Sequence, residues 1–276
     1  ELVEVTSGNT GVALAAIGQA LGNRVRIYMP NWMSQERLQL IRGLGATIVS
    51  VSREQGGFLG SIRMANSYAL EKADAVRLDQ FSDVAGIRAH REGTGAELVQ
   101  QLRDAGLRPT AFVAGVGTGG TVMGVGAALR EGFGDVDVHP LEPANSPTLR
   151  TGSKVGEHRI QGISDEFVPE LLELDSLDRI VDVDDGDAIR MAQRLSAELG
   201  MGLGISSGAN LLGALRVGVE AGPGSVVATV FADCSKKYLS TALAGVEPVL
   251  ATHLTDRVSF REVRVLPRVG RSTNNA

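Results

Sequence analysis

Ala111-Phe112-Val113-Ala114-Gly115-Val116-Gly117-Thr118-Gly119-Gly120-Thr121 is the stretch that decides the fold. Ala111 to Ala114 reads as a short buried strand, and Val122 to Arg130 as the helix that follows. A glycine-rich turn from strand to helix leaves backbone N–H groups free at the positive end of the helix, which suits a phosphate. Gly119 and Gly120 lack the Cβ atoms that would hold the backbone away from such a group, and Thr118 and Thr121 add hydroxyl donors. Taken alone, the turn is ambiguous. Gly115, Gly117 and Gly120 also spell G-x-G-x-x-G, and Glu142 ends a following strand, where a ribose-binding acid would lie. A tight turn that binds nothing is equally consistent.

Outward from this turn, apolar strand runs alternate with helical patterns, the signature of an α/β fold with parallel sheets. Upstream, strands are expected near Val3 to Val5, Arg24 to Met29, Thr47 to Val51 and Ala75 to Gln80. Helices are expected through Leu21, from Ser34 to Gly43 and from Phe58 to Glu71. These elements make a first unit, residues 1–83. Val84 to Asp104 reads as one long helix leading into the central strand. Downstream, strands are expected at Val136 to Leu141, Arg179 to Val183, Gly202 to Ser206 and Val226 to Asp233. Helices are expected at Asp184 to Leu199, Ser207 to Ala221 and Tyr238 to Leu243. Residues 84–248 make the second, larger unit, and 249–276 a peripheral tail. Glu142 to Ile163, with Pro143, Pro147, Gly152, Gly156 and Gly162, is a long irregular segment of the kind that is usually functional.

The 276 residues are 43% hydrophobic, enough for one large core or two moderate ones. Only 4% are aromatic against 35 glycines, which suits tight turns and close helix–sheet packing. A net charge of −5 without a basic run argues against nucleic acid or an anionic membrane as partner. Cys234 is the single cysteine, so no disulfide framework exists and a cytoplasmic location fits. No apolar run approaches the length of a membrane span. His90, His139, His158 and His253 have no metal-ligand spacing among themselves or with Cys234, so no metal is expected. Cys234 reads as a small buried hydrophobe. Trp32 and Met33 read as core, or as the rim of a cleft.

A second turn echoes the first. Thr6-Ser7-Gly8-Asn9-Thr10-Gly11 also opens a helix. Two helix N-termini, each carrying roughly half a positive charge, could hold two anions if they faced one cleft. Ser7 and Asn9 could instead merely cap their helix, and Ser206 could do the same for the helix after it.

Five motifs occur in order: Thr6-Ser7-Gly8-Asn9-Thr10-Gly11, Gly117-Thr118-Gly119-Gly120-Thr121, Gly156-Glu157-His158-Arg159-Ile160-Gln161-Gly162-Ile163, Gly204-Ile205-Ser206-Ser207-Gly208-Ala209 and Lys237-Tyr238-Leu239-Ser240-Thr241. Together they resemble the cysteine synthase (O-acetylserine sulfhydrylase) group of the tryptophan-synthase-β-like, pyridoxal-phosphate-dependent enzymes, from Glu1 to about Pro248. The resemblance implies two three-layer αβα domains with largely parallel twisted sheets and a cofactor cleft between them. It implies that Gly117, Thr118, Gly119, Gly120 and Thr121 hold the cofactor phosphate, that Asn9 bonds the phenolic oxygen, and that Ser206 faces the pyridine nitrogen. It implies that Thr6, Ser7, Gly8, Thr10 and Gln80 surround the substrate carboxylate, with Gln161 and Gly162 lining the cleft. The dinucleotide reading of the central turn becomes a minor alternative.

The implied reaction is β-replacement: O-acetylserine loses acetate and sulfide takes its place, giving L-cysteine. A neutral Ser206 hydroxyl cannot hold a proton on the ring nitrogen as a carboxylate would, which makes the ring a weaker electron sink and suits β-elimination. The implied partners are small molecules, an amino-acid substrate and a sulfide-type nucleophile, with homodimeric assembly. The alternatives are a cystathionine β-synthase or serine/threonine dehydratase type of enzyme, or a non-catalytic pyridoxal-phosphate- or phosphate-binding homologue. One departure stands out. The group's Schiff-base lysine lies upstream of the Thr6–Gly11 turn, so it is expected upstream of Glu1, and the chain as given is expected to be a fragment that is inactive. Lys72, Lys154, Lys236 and Lys237 read as solvated surface charges.

Overall fold

The computed structural model describes residues 1–265, so the last part of the expected tail, 266–276, lies outside the described residues. The first unit runs β1 (Leu2–Val5), α1 (Asn9–Ala20), β2 (Val25–Pro30), α2 (Gln35–Gly43), β3 (Thr47–Val51), α3 (Gly57–Glu71) and β4 (Val76–Arg77). The second runs α4 (Ala85–Ala89), α5 (Ala96–Asp104), β5 (Ala111–Gly115), α6 (Gly120–Phe133), β6 (Asp137–Pro143), α7 (Thr148–Thr151), β7 (Val181–Val183), α8 (Asp185–Leu199), α9 (Ile205–Ala221) and β8 (Val227–Thr229).

Each unit has its own four-stranded sheet, in the orders β3-β2-β1-β4 and β7-β6-β5-β8, and every pairing is parallel. The central strands are buried on both faces, as helices on each side require. Along β5, Ala111 and Val113 join one core cluster while Phe112 and Ala114 join another. In β2, Val25, Ile27 and Met29 face one cluster and Tyr28 the other. The two sheets share a plan: the chain starts on an inner strand, winds outward twice, then returns to pair with the starting strand on its free side. That reversal puts a crevice at the carboxyl ends of β1 and β5. The two Thr/Gly-rich turns follow these strands.

Several local expectations change. Val84 to Asp104 is helical, but its middle, His90–Gly95, is a π-helical turn between α4 and α5. Gly202 to Ser206 is not a strand. Leu203 makes one isolated antiparallel bridge to Cys234, and the helix begins at Ile205. Two glycines in five residues leave too few side chains for a packed strand, and the segment instead fastens its Gly204 N–H to the Asp233 carbonyl. The strand expected from Val226 to Asp233 shrinks to Val227–Thr229, and that from Ala75 to Gln80 to Val76–Arg77; both lie at sheet edges with one partner each. In place of a helix from Tyr238 to Leu243, two 3₁₀ turns form, at Ser235–Lys237 and Ala242–Ala244. Cys234 is exposed rather than buried. Met33 belongs to the core, and half-buried Trp32 packs against it.

The segment after Pro248 is held to α8. Asp187 accepts from the N–H groups of Leu254 and Thr255, and Arg190 makes two contacts with Asp256. Leu254, Val258 and Phe260 pack on the core around α8 and α9. Among the described residues, no helix is long and apolar enough to cross a membrane.

Candidate active site

A cavity of about 570 Å³ opens where the two units meet. Thr6, Ser7, Gly8, Asn9, Thr10 and Gln80 line it from the first unit, and Gly117, Thr118, Gly119, Thr121, Gln161, Gly162 and Ser206 from the second. Of the residues expected at the site, Gly120 alone is missing from the wall; it is buried as the first residue of α6.

The N-termini of α1, α6 and α9 therefore converge on one space. Capping does not explain their side chains. The residues before α1 and α9 are Gly8 and Gly204, and neither helix receives a side-chain capping bond. The first-turn N–H groups of a helix have no intrahelical acceptor and carry its positive end. Among the described residues, the lining contains no lysine and no arginine. An anion bound directly at these helix ends is thus met by backbone N–H groups and neutral side-chain donors.

Gly119 adopts φ of +89°, a left-handed conformation that a side chain would strain, and this bend starts α6. Thr118 Oγ1 accepts from Gly120 N at 3.3 Å, a contact inside the turn itself. Thr121 Oγ1 lies 3.2 Å from His90 Nε2, and His90 Nδ1 lies 3.1 Å from Thr94 Oγ1. Burial holds His90 below the usual histidine range, which favours the neutral ring, a donor through one nitrogen only. The π-helical turn places His90 and Thr94 on one side, as such turns often do at functional sites. Sequence alone does not single out His90, because its partner Thr121 is 31 residues away.

Other groups also escaped the sequence. Asn210, one turn after Ser206, accepts from Gly115 N at 2.8 Å and donates to the Val230 carbonyl at 2.8 Å, tying the central turn to the chain after β8. Glu4 is buried in β1. It accepts from Val5 N at 2.7 Å and Gln80 N at 3.1 Å, and burial pushes its carboxyl up despite these bonds and Arg77. The Gln80 amide donates to the Val5 carbonyl, which holds the side chain at the cavity wall. Gln161 accepts from Arg37, and Gly162 has φ of +93°. Lys237 is not a free surface charge: its Nζ donates to Asn9 Oδ1 at 2.8 Å. Glu142 is fully buried and accepts from Leu149 N at 2.7 Å, which removes it as a ribose ligand.

Asp165 lines this cavity and a second one of about 370 Å³ beyond Gln161 and Gly162. Loss of water around it, together with the negative charge of Glu166, pushes its carboxyl up to about 7. Trp32, Met33, Arg53, Lys154 and Glu157 line the second cavity, so the two hydrophobic residues do reach a cleft wall as well as the core.

The family model for pyridoxal-phosphate dependent enzymes matches residues 1–233. The chain belongs to that family. It is a pyridoxal-phosphate-dependent enzyme. A probable cysteine synthase of Bacillus subtilis is 39% identical over 242 residues, covering 88% of this chain and 77% of the relative. The crystal structure of a hydrogen sulfide-producing enzyme from Fusobacterium nucleatum is 52% identical, with a TM-score of 0.93 over 97% of this chain and 80% of that one. That of an O-ureido-L-serine synthase is 38% identical, with a TM-score of 0.81 over 91% and 78%. These likenesses span both sheets, so the two-domain α/β architecture is that of the family.

The residues present fit the cofactor. A phosphate needs a helix N-terminus without side chains in the way, and the Gly117–Thr121 turn provides one at the cavity wall. A flat ring needs space between the units, and the cavity has it.

Proposed function

We propose that this enzyme carries out β-replacement on a 3-substituted alanine such as O-acetylserine, with sulfide as nucleophile and L-cysteine as product. The observation that carries this reading is the convergence of three helix N-termini on one cavity, an arrangement that suits two separate anions, a phosphate and a carboxylate. In it, Gly117 to Thr121 grip the phosphate, with His90 steadying Thr121. Asn9 donates to the phenolic oxygen and Ser206 meets the pyridine nitrogen without charge. Thr6, Ser7, Gly8 and Thr10 hold the amino-acid carboxylate at the start of α1, and Gln80 closes that side. Bound pyridoxal phosphate supplies the electron sink that lets the Cα proton and the Cβ leaving group depart. The cavity walls keep the reacting groups together and limit water.

The test is cysteine formation from O-acetylserine and sulfide, with cofactor affinity and substrate affinity measured separately. Ser7→Ala or Gln80→Ala should weaken substrate binding more than cofactor binding. Equal loss of both, or of neither, contradicts the division of roles. Action in the cytoplasm and homodimeric assembly belong to the same proposal; the free, exposed thiol of Cys234 supports the first. Light scattering of the purified protein tests the second.

Asp165 favours a second reading, in which the same site releases sulfide from cysteine. A carboxyl that exchanges its proton near neutrality can give that proton to the sulfide as it leaves Cβ and then recover one from the water that adds there in its place. The 52% identity to a hydrogen sulfide-producing enzyme supports this direction. Sulfide release from cysteine, measured in the parent and in Asp165→Asn, decides between the readings. Release that survives Asp165→Asn unchanged removes Asp165 from the chemistry.

A further inference from the structure

Asn9 stands between two groups of opposite character. Its Oδ1 accepts from Lys237 Nζ at 2.8 Å, and its Nδ2 donates to Asp233 Oδ2 at 3.1 Å. An ammonium can only donate and a carboxylate can only accept. The amide therefore has one orientation. The reverse would turn its N–H groups on the cation and its oxygen on the anion.

Asp233 is itself held firmly. Its side chain is fully buried, and Oδ2 also accepts from Tyr238 Oη at 2.8 Å and lies 3.8 Å from Arg37 Nη2 and 3.6 Å from Lys237 Nζ. Arg37 is equally buried, and its guanidinium sits 4.5 Å over the Tyr238 ring. The packing leaves no slack. A Cβ on Gly204 would fall 1.9 Å from Asp233 Oδ1, and one on Gly8 would fall 2.8 Å from Arg37 Nε. Two of the motif glycines thus make room for this ion pair. Lys237 has one fifth of its side chain exposed, so it can be changed with less damage than Asp233 or Arg37.

One proton of Asn9 Nδ2 has no partner among the described residues, and Asn9 lines the 570 Å³ cavity. We propose that Lys237, with Asp233, is a positioning residue that locks the Asn9 amide so that it offers the cavity an N–H and never a carbonyl. The acceptor it serves is the phenolic oxygen of the cofactor ring; this rests on the role given to Asn9 above. The Lys237 charge, one amide away, also favours the ionised form of that oxygen. The geometry has a second effect. Asn9 and Arg37 come from the first unit and Asp233, Lys237 and Tyr238 from the second, so setting the amide also sets the two units against each other beside the ring.

The experiment uses the holoenzyme and two variants, Lys237→Met and Lys237→Arg. Cofactor affinity, melting temperature and the pH midpoint of the bound cofactor's visible absorbance are measured for each. Lys237→Met should keep cofactor affinity within about threefold, because the phosphate turn is untouched. Its spectral midpoint should move upward by roughly half to one pH unit, as expected for loss of a nearby cation at intermediate effective dielectric. Lys237→Arg should bring the midpoint back. A Lys237→Met protein that loses melting temperature but keeps the parental midpoint marks a merely structural role and overturns the proposal. A parent protein that shows no cofactor band overturns the functional reading itself, and is recognised before any variant is made.

Discussion

Replacing Gly117 by alanine tests how the phosphate turn and the Gln161–Ile163 loop are joined. A Cβ at Gly117 would lie 2.5 Å from the Gly162 carbonyl oxygen, and real Cβ contacts essentially never fall under 3.0 Å. The obstacle is backbone, so no rotamer change relieves it; the loop or the turn must move by about 0.5 Å or more, at a cost typical of overpacking, about 1–3 kcal/mol. For a chain of this size, that is a fall of roughly 2–10 °C in melting temperature. Because the displaced atoms line the cavity, cofactor affinity should fall as well, by about tenfold for each ~1.4 kcal/mol of misplacement. The control is Gly162→Ala, on the other side of the same contact. Gly162 has φ of +93° but nothing within 4 Å of its would-be Cβ, so this variant bears backbone strain without a collision. It should lose a similar amount of stability, about 1–2 kcal/mol, yet hold the cofactor more tightly than Gly117→Ala. Thermal denaturation and cofactor titration of both proteins give the answer. If Gly117→Ala binds pyridoxal phosphate with parental affinity, or if the two variants lose affinity equally, the turn is not where the phosphate sits.

Further outcomes follow from other residues. His90→Phe removes the partner of Thr121 and should weaken cofactor binding about 2- to 10-fold, the worth of one net hydrogen bond, as read by equilibrium titration. Asp165 binds a proton more tightly in the folded protein than in the unfolded chain, so the folded state loses relative stability as pH rises from about 4 through about 7; Asp165→Asn should be the more stable protein in urea at pH 8 and show little difference at pH 4. Borohydride reduction in the presence of pyridoxal phosphate, followed by peptide mapping, should leave Lys72, Lys154, Lys236 and Lys237 without stoichiometric label; Lys237 is held by Asn9 and Asp233, and Lys154 by Glu157. A full label on any of the four refutes their assignment.

What could be read from sequence was local. The two Thr/Gly-rich turns declare themselves because a strand, a turn and a helix occupy consecutive residues, and their shared setting at β1 and β5 follows from alternation alone. Ser206 and Gln161 were reached only through resemblance to a family, since a serine at a helix start and a glutamine in a long loop have many ordinary uses. The network of Arg37, Asp233 and Lys237 was invisible. Arg37 and Tyr238 are 201 residues apart, and Lys237 and Asn9 are 228 apart. In sequence, Lys236-Lys237 looks like any solvated pair of charges. The short edge strands were overextended for a related reason: an apolar run shows that a segment is buried, but how far it pairs depends on the neighbour beside it.

The helix N-termini that meet at the main cavity have a consequence for the protein without its cofactor. A pocket built from cationic side chains repels itself when its anion leaves, and must rearrange, recruit counter-ions or unfold locally. Here the attraction is written into peptide dipoles that are fixed by the helices and stay in place whatever occupies the site. The phosphate turn of the empty enzyme should therefore keep its shape. Cofactor can leave and return to a site that remains formed, so reactivation after depletion should be limited by encounter rather than by refolding.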